Sequence, residues 1–96
     1  MPPSSDPEVV ERAVILRKPL HARPAGQLAQ LAGKHKETTI ELVAGPKKAN
    51  ARSVLAVMAM GAVVGTEVSV TVSGPDATAV ADAVDQILTS AEPADG

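Results

Sequence analysis

The residues best suited to chemistry sit in one short run, Pro19-Leu20-His21-Ala22-Arg23-Pro24-Ala25. A strand-like stretch stops at Pro19 and a helix-like stretch follows, which puts His21 at or next to a helix N-cap. Amide groups in the first turn of a helix have no intrahelical acceptor, and the helix dipole is positive there. Such an end is an anion site. Pro24 lacks an N–H, but in the first turn that donor is an orphan anyway. Arg23 adds a permanent charge and a forked donor geometry suited to phosphate. A neutral imidazole keeps one nitrogen free to attack, and histidine exists in that form at working pH. Attack on a phosphoryl group would give a phosphohistidine, a covalent intermediate of the nucleophilic type. The helix end and Arg23 would hold the anion without locking it in place, as a carrier requires. Taken alone, a histidine at a helix start is more often a cap or a surface group, and Arg23 reads equally as a solvated charge. No carboxylate lies nearby in sequence to orient the ring.

A second run, Asn50-Ala51-Arg52-Ser53, leads into Val54-Leu55-Ala56-Val57-Met58-Ala59-Met60-Gly61. Ser53 reads first as an N-cap, and a capping hydroxyl is also where a phosphate is well tolerated. The helix after it is apolar nearly all round. One face must enter the core, which leaves Val54, Leu55 and Met58 as candidates for an exposed apolar patch and hence a partner surface. Simple core packing accounts for them about as well. His35, between Lys34 and Lys36, reads as a solvated residue in a basic loop. Two histidines without cysteine or a suitably spaced acid make a poor metal site, and neither a metal nor a cofactor is expected.

The elements that must position these residues follow from pattern. Ninety-six residues make one domain with a single modest core, and its 45% hydrophobic content includes no aromatic residue. Residues 1–7 and 91–96 read as disordered tails around a domain at 8–90. Residues 9–16 read as a strand, although Arg12 blurs its buried face. A helix follows over 21–32, with Ala25, Leu28, Ala29 and Ala32 on one side. Strands are expected at 38–43 and 47–50 about a Gly45-Pro46 turn. A short helix runs from Ser53 to about Met60, closed by Gly61 and Gly65. Residues 66–73 give the cleanest alternation, Val68, Val70 and Val72 against polar neighbours. Gly74-Pro75-Asp76 then turns into a helix whose Val80, Val84, Ile87 and Leu88 form a buried stripe. The order βαββαβα predicts an α+β fold, an antiparallel sheet with helices on one face and the other toward water.

Charge and composition exclude several classes. A net charge of −2 and the lack of aromatic residues give no case for nucleic acid. No cysteine is present, so there is no disulfide framework. The N-terminus lacks the pattern of a signal peptide, and no apolar run approaches the roughly 20 residues needed to cross a bilayer. A soluble, cytoplasmic domain that inserts in no membrane is expected.

His21-Ala22-Arg23-Pro24-Ala25, Asn50-Ala51-Arg52-Ser53 and Met58-Ala59-Met60-Gly61 together resemble HPr, the histidine-containing phosphocarrier family of the bacterial phosphoenolpyruvate-dependent sugar phosphotransferase system. The likeness runs from about Val9 to Leu88. It implies an open-faced β-sandwich of four antiparallel strands with three helices on one side. It implies that His21 takes phosphate on Nδ1 from phospho-enzyme I and donates it to enzyme IIA domains, with Arg23 assisting transfer. Ser53 matches a serine that a regulatory kinase phosphorylates in many relatives, which makes a serine kinase and phosphatase further expected partners. Val54, Leu55 and Met58 match the family's apolar docking surface. The implied protein is a monomeric, stoichiometric carrier, not an enzyme. Departures are Pro19 in place of a usual glycine, Arg52 in place of a usual lysine, a longer His21-to-Ser53 separation around residues 33–37, and the missing phenylalanine. Two other readings stay open: a carrier in a nitrogen-related or dihydroxyacetone-kinase phosphorelay, and a regulatory docking module signalling through Ser53.

Overall fold

The computed structural model describes residues 8–89. The expected tails at 1–7 and 91–96, and Ser90 of the expected domain, lie outside the described residues. Seven elements follow one another: β1 (Val9–Ile15), α1 (Ala22–Lys34), β2 (Thr39–Ala44), β3 (Lys47–Asn50), α2 (Val54–Ala59), β4 (Glu67–Ser73) and α3 (Ala77–Thr89). The four strands form one antiparallel sheet in the order β1-β4-β2-β3. The last strand in sequence therefore enters between the first two, and α1 crosses over that gap. All three helices pack on one face, with α3 against β1 and β4, α2 against β3, and α1 against the other two helices.

Alternation decides the faces. Val68, Val70 and Val72 of β4 and Ile40 and Leu42 of β2 are buried under the helices, while Glu67 and Ser69 are exposed on the other side. From the helical layer Ala25, Leu28, Ala32, Val57, Val80, Val84 and Leu88 close the core. Ile87, expected in the buried stripe, is half-buried at its margin. Arg12 faces the helical side, in register with Val70. Because β1 is an edge strand, its guanidinium reaches round the core to Asp82 at 3.0 Å and Asp85 at 2.6 Å on α3. Those hydrogen bonds, donated by Arg12 to Asp82 and, second in effect, to Asp85, push the Arg12 pKa up.

The turns obey backbone chemistry. Gly45 has φ of 61° as the first central residue of the two-residue β2–β3 hairpin, where only glycine is unstrained. Gly74 has φ of 128°, and a Cβ there would lie 2.6 Å from the Glu37 carbonyl oxygen, so the chain passes too close for any side chain. Beside it Thr38, expected to open β2, instead precedes the strand and is buried, its hydroxyl donating to the Pro75 carbonyl at 2.6 Å. Helix α1 extends two residues past its expected end. His35 is therefore its C-cap, half-buried, with its N–H donating to Ala32 O, and is not a solvated loop residue.

Candidate functional site

His21 is the N-cap of α1, in extended backbone with φ −102° and ψ −157°. Its imidazole is exposed and makes no capping hydrogen bond. The first-turn amides of α1 are thus not closed off by the ring, while Ala25 N–H already donates to the His21 carbonyl at 3.1 Å. Pro24 and Ala25 are buried, so this turn is seated in the core and its open end is fixed in direction. The approach to His21 is equally constrained. Leu16 N–H donates to Thr66 O at 2.9 Å, Gly65 N–H to Leu16 O at 2.9 Å, and Leu20 N–H to Ala62 O at 3.0 Å. Leu16 and Leu20 are buried between these anchors. The backbone that carries the ring is therefore anchored on both sides, and among the described residues no hydrogen bond holds the imidazole. Arg23 sits two positions further on, in the first turn of α1, and is exposed.

Ser53 is the N-cap of α2, as expected, its Oγ accepting from Ala56 N–H at 3.1 Å. The turn before it is held by Asn50, which accepts from Arg52 N–H through Oδ1 at 2.9 Å and from Ser53 N–H through its carbonyl at 3.0 Å. Arg52 does more than replace a lysine. Its Nη2 donates to the carbonyls of Lys36 at 2.7 Å, Thr38 at 3.2 Å and His35 at 3.3 Å, tying the start of α2 to the end of α1. Only arginine's forked, permanently charged head hinted at this in the sequence, since the acceptors lie in another segment.

The expected apolar patch is partly there. Leu55 is 79% exposed and Met58 39%, but Val54 is half-buried and packs against the core, so the patch loses one of its three expected members. Sequence reading missed Val63 and Val64, each 60% exposed. They belong to a tight turn in which Thr66 N–H donates to Val63 O at 3.0 Å and Gly65 takes φ of 90°. Exposed positions of such turns usually carry polar residues. Two valines followed by glycine were the available signal. Through the Leu20–Ala62 bond this turn lies beside the run that presents His21.

Charge is also arranged. All nine Lys and Arg residues fall within 12–36 and 42–66, and neither stretch contains an Asp or Glu. The net charge of −2 conceals this division. Arg17, Lys18 and Arg23 lie in sequence around His21 and Arg52 directly precedes Ser53, whereas Arg12 is paired with Asp82 and Asp85 on α3. Among the described residues no group of three or more His, Asp or Glu side chains is placed to hold a metal ion, and no helix is long and apolar enough to cross a membrane.

This open-faced sandwich is the fold of solved HPr phosphocarriers. The HPr structure from Bacillus anthracis str. Ames is matched with a TM-score of 0.76 and 25% identity, over 84% of this chain and 98% of that one. A Mycoplasma histidine-containing phosphocarrier protein is matched with a TM-score of 0.74 and 32% identity, over 85% of this chain and all of that one. In sequence, the phosphocarrier protein HPr of Treponema pallidum (strain Nichols) is 38% identical over 75 residues, covering 78% of this chain and 84% of that protein. A family model described as the PTS HPr component phosphorylation site matches residues 10–90. The chain belongs to the HPr phosphocarrier family of the phosphotransferase system.

Proposed function

We propose that this protein is a cytoplasmic phosphoryl carrier that accepts phosphate on His21 from phospho-enzyme I and delivers it to enzyme IIA domains in sugar uptake. The observation that carries the reading is the exposed His21 imidazole at the open N-terminus of α1, uncommitted to capping. An imidazole nitrogen of His21, Nδ1 by the family likeness, attacks the phosphorus of the donor's phosphohistidine. A new N–P bond forms, the donor's N–P bond breaks, and the donor imidazole keeps the electron pair. The first-turn amides of α1 and Arg23 stabilise the charge of the transferring group. Delivery to an enzyme IIA histidine is the same exchange in reverse. The carrier is regenerated only by its partners and turns over nothing alone.

Leu55 and Met58 are the apolar centre of the docking surface, Val63 and Val64 supply further exposed apolar side chains, and Arg52 and Ser53, exposed just before α2, lie toward its rim. Ser53, at the edge of that surface, is the regulatory position for a serine kinase and phosphatase. A phosphate there places negative charge where an acidic partner must approach.

The test is to incubate the protein with labelled phosphoenolpyruvate and a bacterial enzyme I, then map the label. Acid-labile, base-stable phosphate on His21, absent from His21→Ala, is expected. Folded wild-type protein that takes no label from several enzymes I would overturn the carrier reading and leave docking through Ser53.

A further inference from the structure

Helix α2 and its C-cap carry two of the chain's three methionines, and the fold treats them oppositely. Met58 is 39% exposed, whereas Met60, two residues on, is 6% exposed and belongs to the core. Helical period explains the difference. Residues 55 and 58 are three apart and share a face, the one that also exposes Leu55. Val57 is fully buried, and Met60 follows it inward as the C-cap, its N–H donating to Val57 O at 3.2 Å. A methionine side chain is unbranched and ends in its thioether, so exposure on a helix surface falls chiefly on that end. The folded monomer therefore has little use for the Met58 sulfur, while the docking surface presents it.

A thioether is apolar enough for the centre of an interface and is also nucleophilic. Its sulfur lone pair attacks a peroxide oxygen: an S–O bond forms and the O–O bond breaks. The departing hydroxide takes the proton of the transferred hydroxyl and leaves as water. Sulfur is oxidised and the peroxide oxygen is reduced. The product, methionine sulfoxide, is polar. In the free carrier water solvates the new oxygen, so the fold loses little. Beneath a docked partner that oxygen is stripped of water among apolar contacts, and an unpaired buried acceptor is costly. The same event at Met60 would set a polar oxygen in the core, and burial protects Met60 from it.

We infer, resting on the docking reading above, that Met58 is a redox-sensitive modification site: a peroxide converts it to the sulfoxide and thereby weakens partner binding without unfolding the carrier. Reduction by a methionine sulfoxide reductase restores the thioether and the docking surface with it.

The experiment treats the full-length carrier with hydrogen peroxide and locates the added oxygen by peptide mass spectrometry. KM for the carrier is then measured in phosphorylation by enzyme I, with urea denaturation alongside. Met58 is expected to take oxygen well before Met60. KM is expected to rise about tenfold, the cost of burying one unpaired polar oxygen, with the urea midpoint unchanged. Methionine sulfoxide reductase should return KM to its starting value. Met58→Leu removes the sulfur, so peroxide should leave that variant's own KM where it began, which separates Met58 from Met1 and Met60. An unchanged KM with Met58 oxidised overturns the inference. So does a lowered urea midpoint, a sulfoxide on Met60 ahead of Met58, or an equal rise of KM in treated Met58→Leu. Leu55→Ala separates the two levels. A wild-type KM in Leu55→Ala refutes the docking reading, and this inference with it, whereas a raised KM there without a response of the wild type to peroxide refutes this inference alone.

Discussion

Leu55 offers the sharpest test of the docking surface, because its contribution to folding and to binding can be separated in advance. It is 79% exposed on α2, so truncation to alanine removes little that the folded monomer buries. The loss appears only when a partner covers the side chain. Leucine exceeds alanine by three carbons, each worth about 0.8 kcal/mol when buried. Scaled by the 79% that remains to be covered, the loss is about 2 kcal/mol. That corresponds to about 25-fold in affinity, and imperfect burial at an interface lowers it toward tenfold. The assay is steady-state phosphorylation by enzyme I over a range of carrier concentration, alongside urea denaturation of each variant. Leu55→Ala is expected to raise KM for the carrier at least tenfold, leave kcat within a factor of two, and leave the urea midpoint unchanged. A KM within twofold of wild type would refute the assignment of α2 as the apolar centre. A lowered urea midpoint would show instead that Leu55 is a folding residue.

Four further outcomes follow from particular contacts. Ser53→Ala removes the acceptor of Ala56 N–H and is expected to cost about 1 kcal/mol in urea unfolding. Ser53→Asp keeps a capping oxygen, so it should unfold near wild type yet show a raised KM with enzyme I, because it sets negative charge at the docking rim. Gly74→Ala sets a Cβ 2.6 Å from the Glu37 carbonyl in backbone that disfavours side chains, and calorimetry should show destabilisation of about 2 kcal/mol or more. Arg52→Ala frees the carbonyls of His35, Lys36 and Thr38, so hydrogen exchange should accelerate at Thr38 N–H, which now bonds His35 O at 2.9 Å, while β4 stays protected.

Much of this architecture is legible locally. The alternation in β4, the stripe of α3, the Ser53 cap and the helix beginning after His21 each report burial or backbone chemistry within one element, and the sequence carries that directly. The order of strands is another matter. No local pattern says that β4 inserts between β1 and β2, because pairing is decided by how the whole hydrophobic set is best covered. The side chains misread are those whose partners are far along the chain. Arg12 looked out of place in a strand until its partners, Asp82 and Asp85, came round on α3. Arg52 and His35 belong to one knot of carbonyl contacts that joins two helices. Val54, for which patch and core packing fit the pattern about equally well, is half-buried against the core, whereas Val63 and Val64 carry no local signal because an apolar turn breaks the usual rule for turn composition. At the candidate site, the run from Pro19 to Ala25 was readable because one helix end supplies most of the geometry.

The two N-caps show how the same local device serves two ends. Ser53 closes its helix with its own side chain, and the helix it closes is only six residues long. His21 starts a helix of 13 residues and leaves its side chain out of the cap. The longer helix thus has the stronger aligned dipole and no side-chain cap, and an anion on the His21 ring would gain from both. A phosphate on Ser53 meets the opposite situation. It arrives where the hydroxyl already satisfies Ala56 N–H and where Arg52 is committed to three carbonyls. Such a phosphate has little new to bond within the protein, so its effect must fall on what approaches from outside. Modification there should change docking at nearly constant stability, and a large rise in unfolding temperature on installing phosphoserine at Ser53 would contradict this division between the two helix ends.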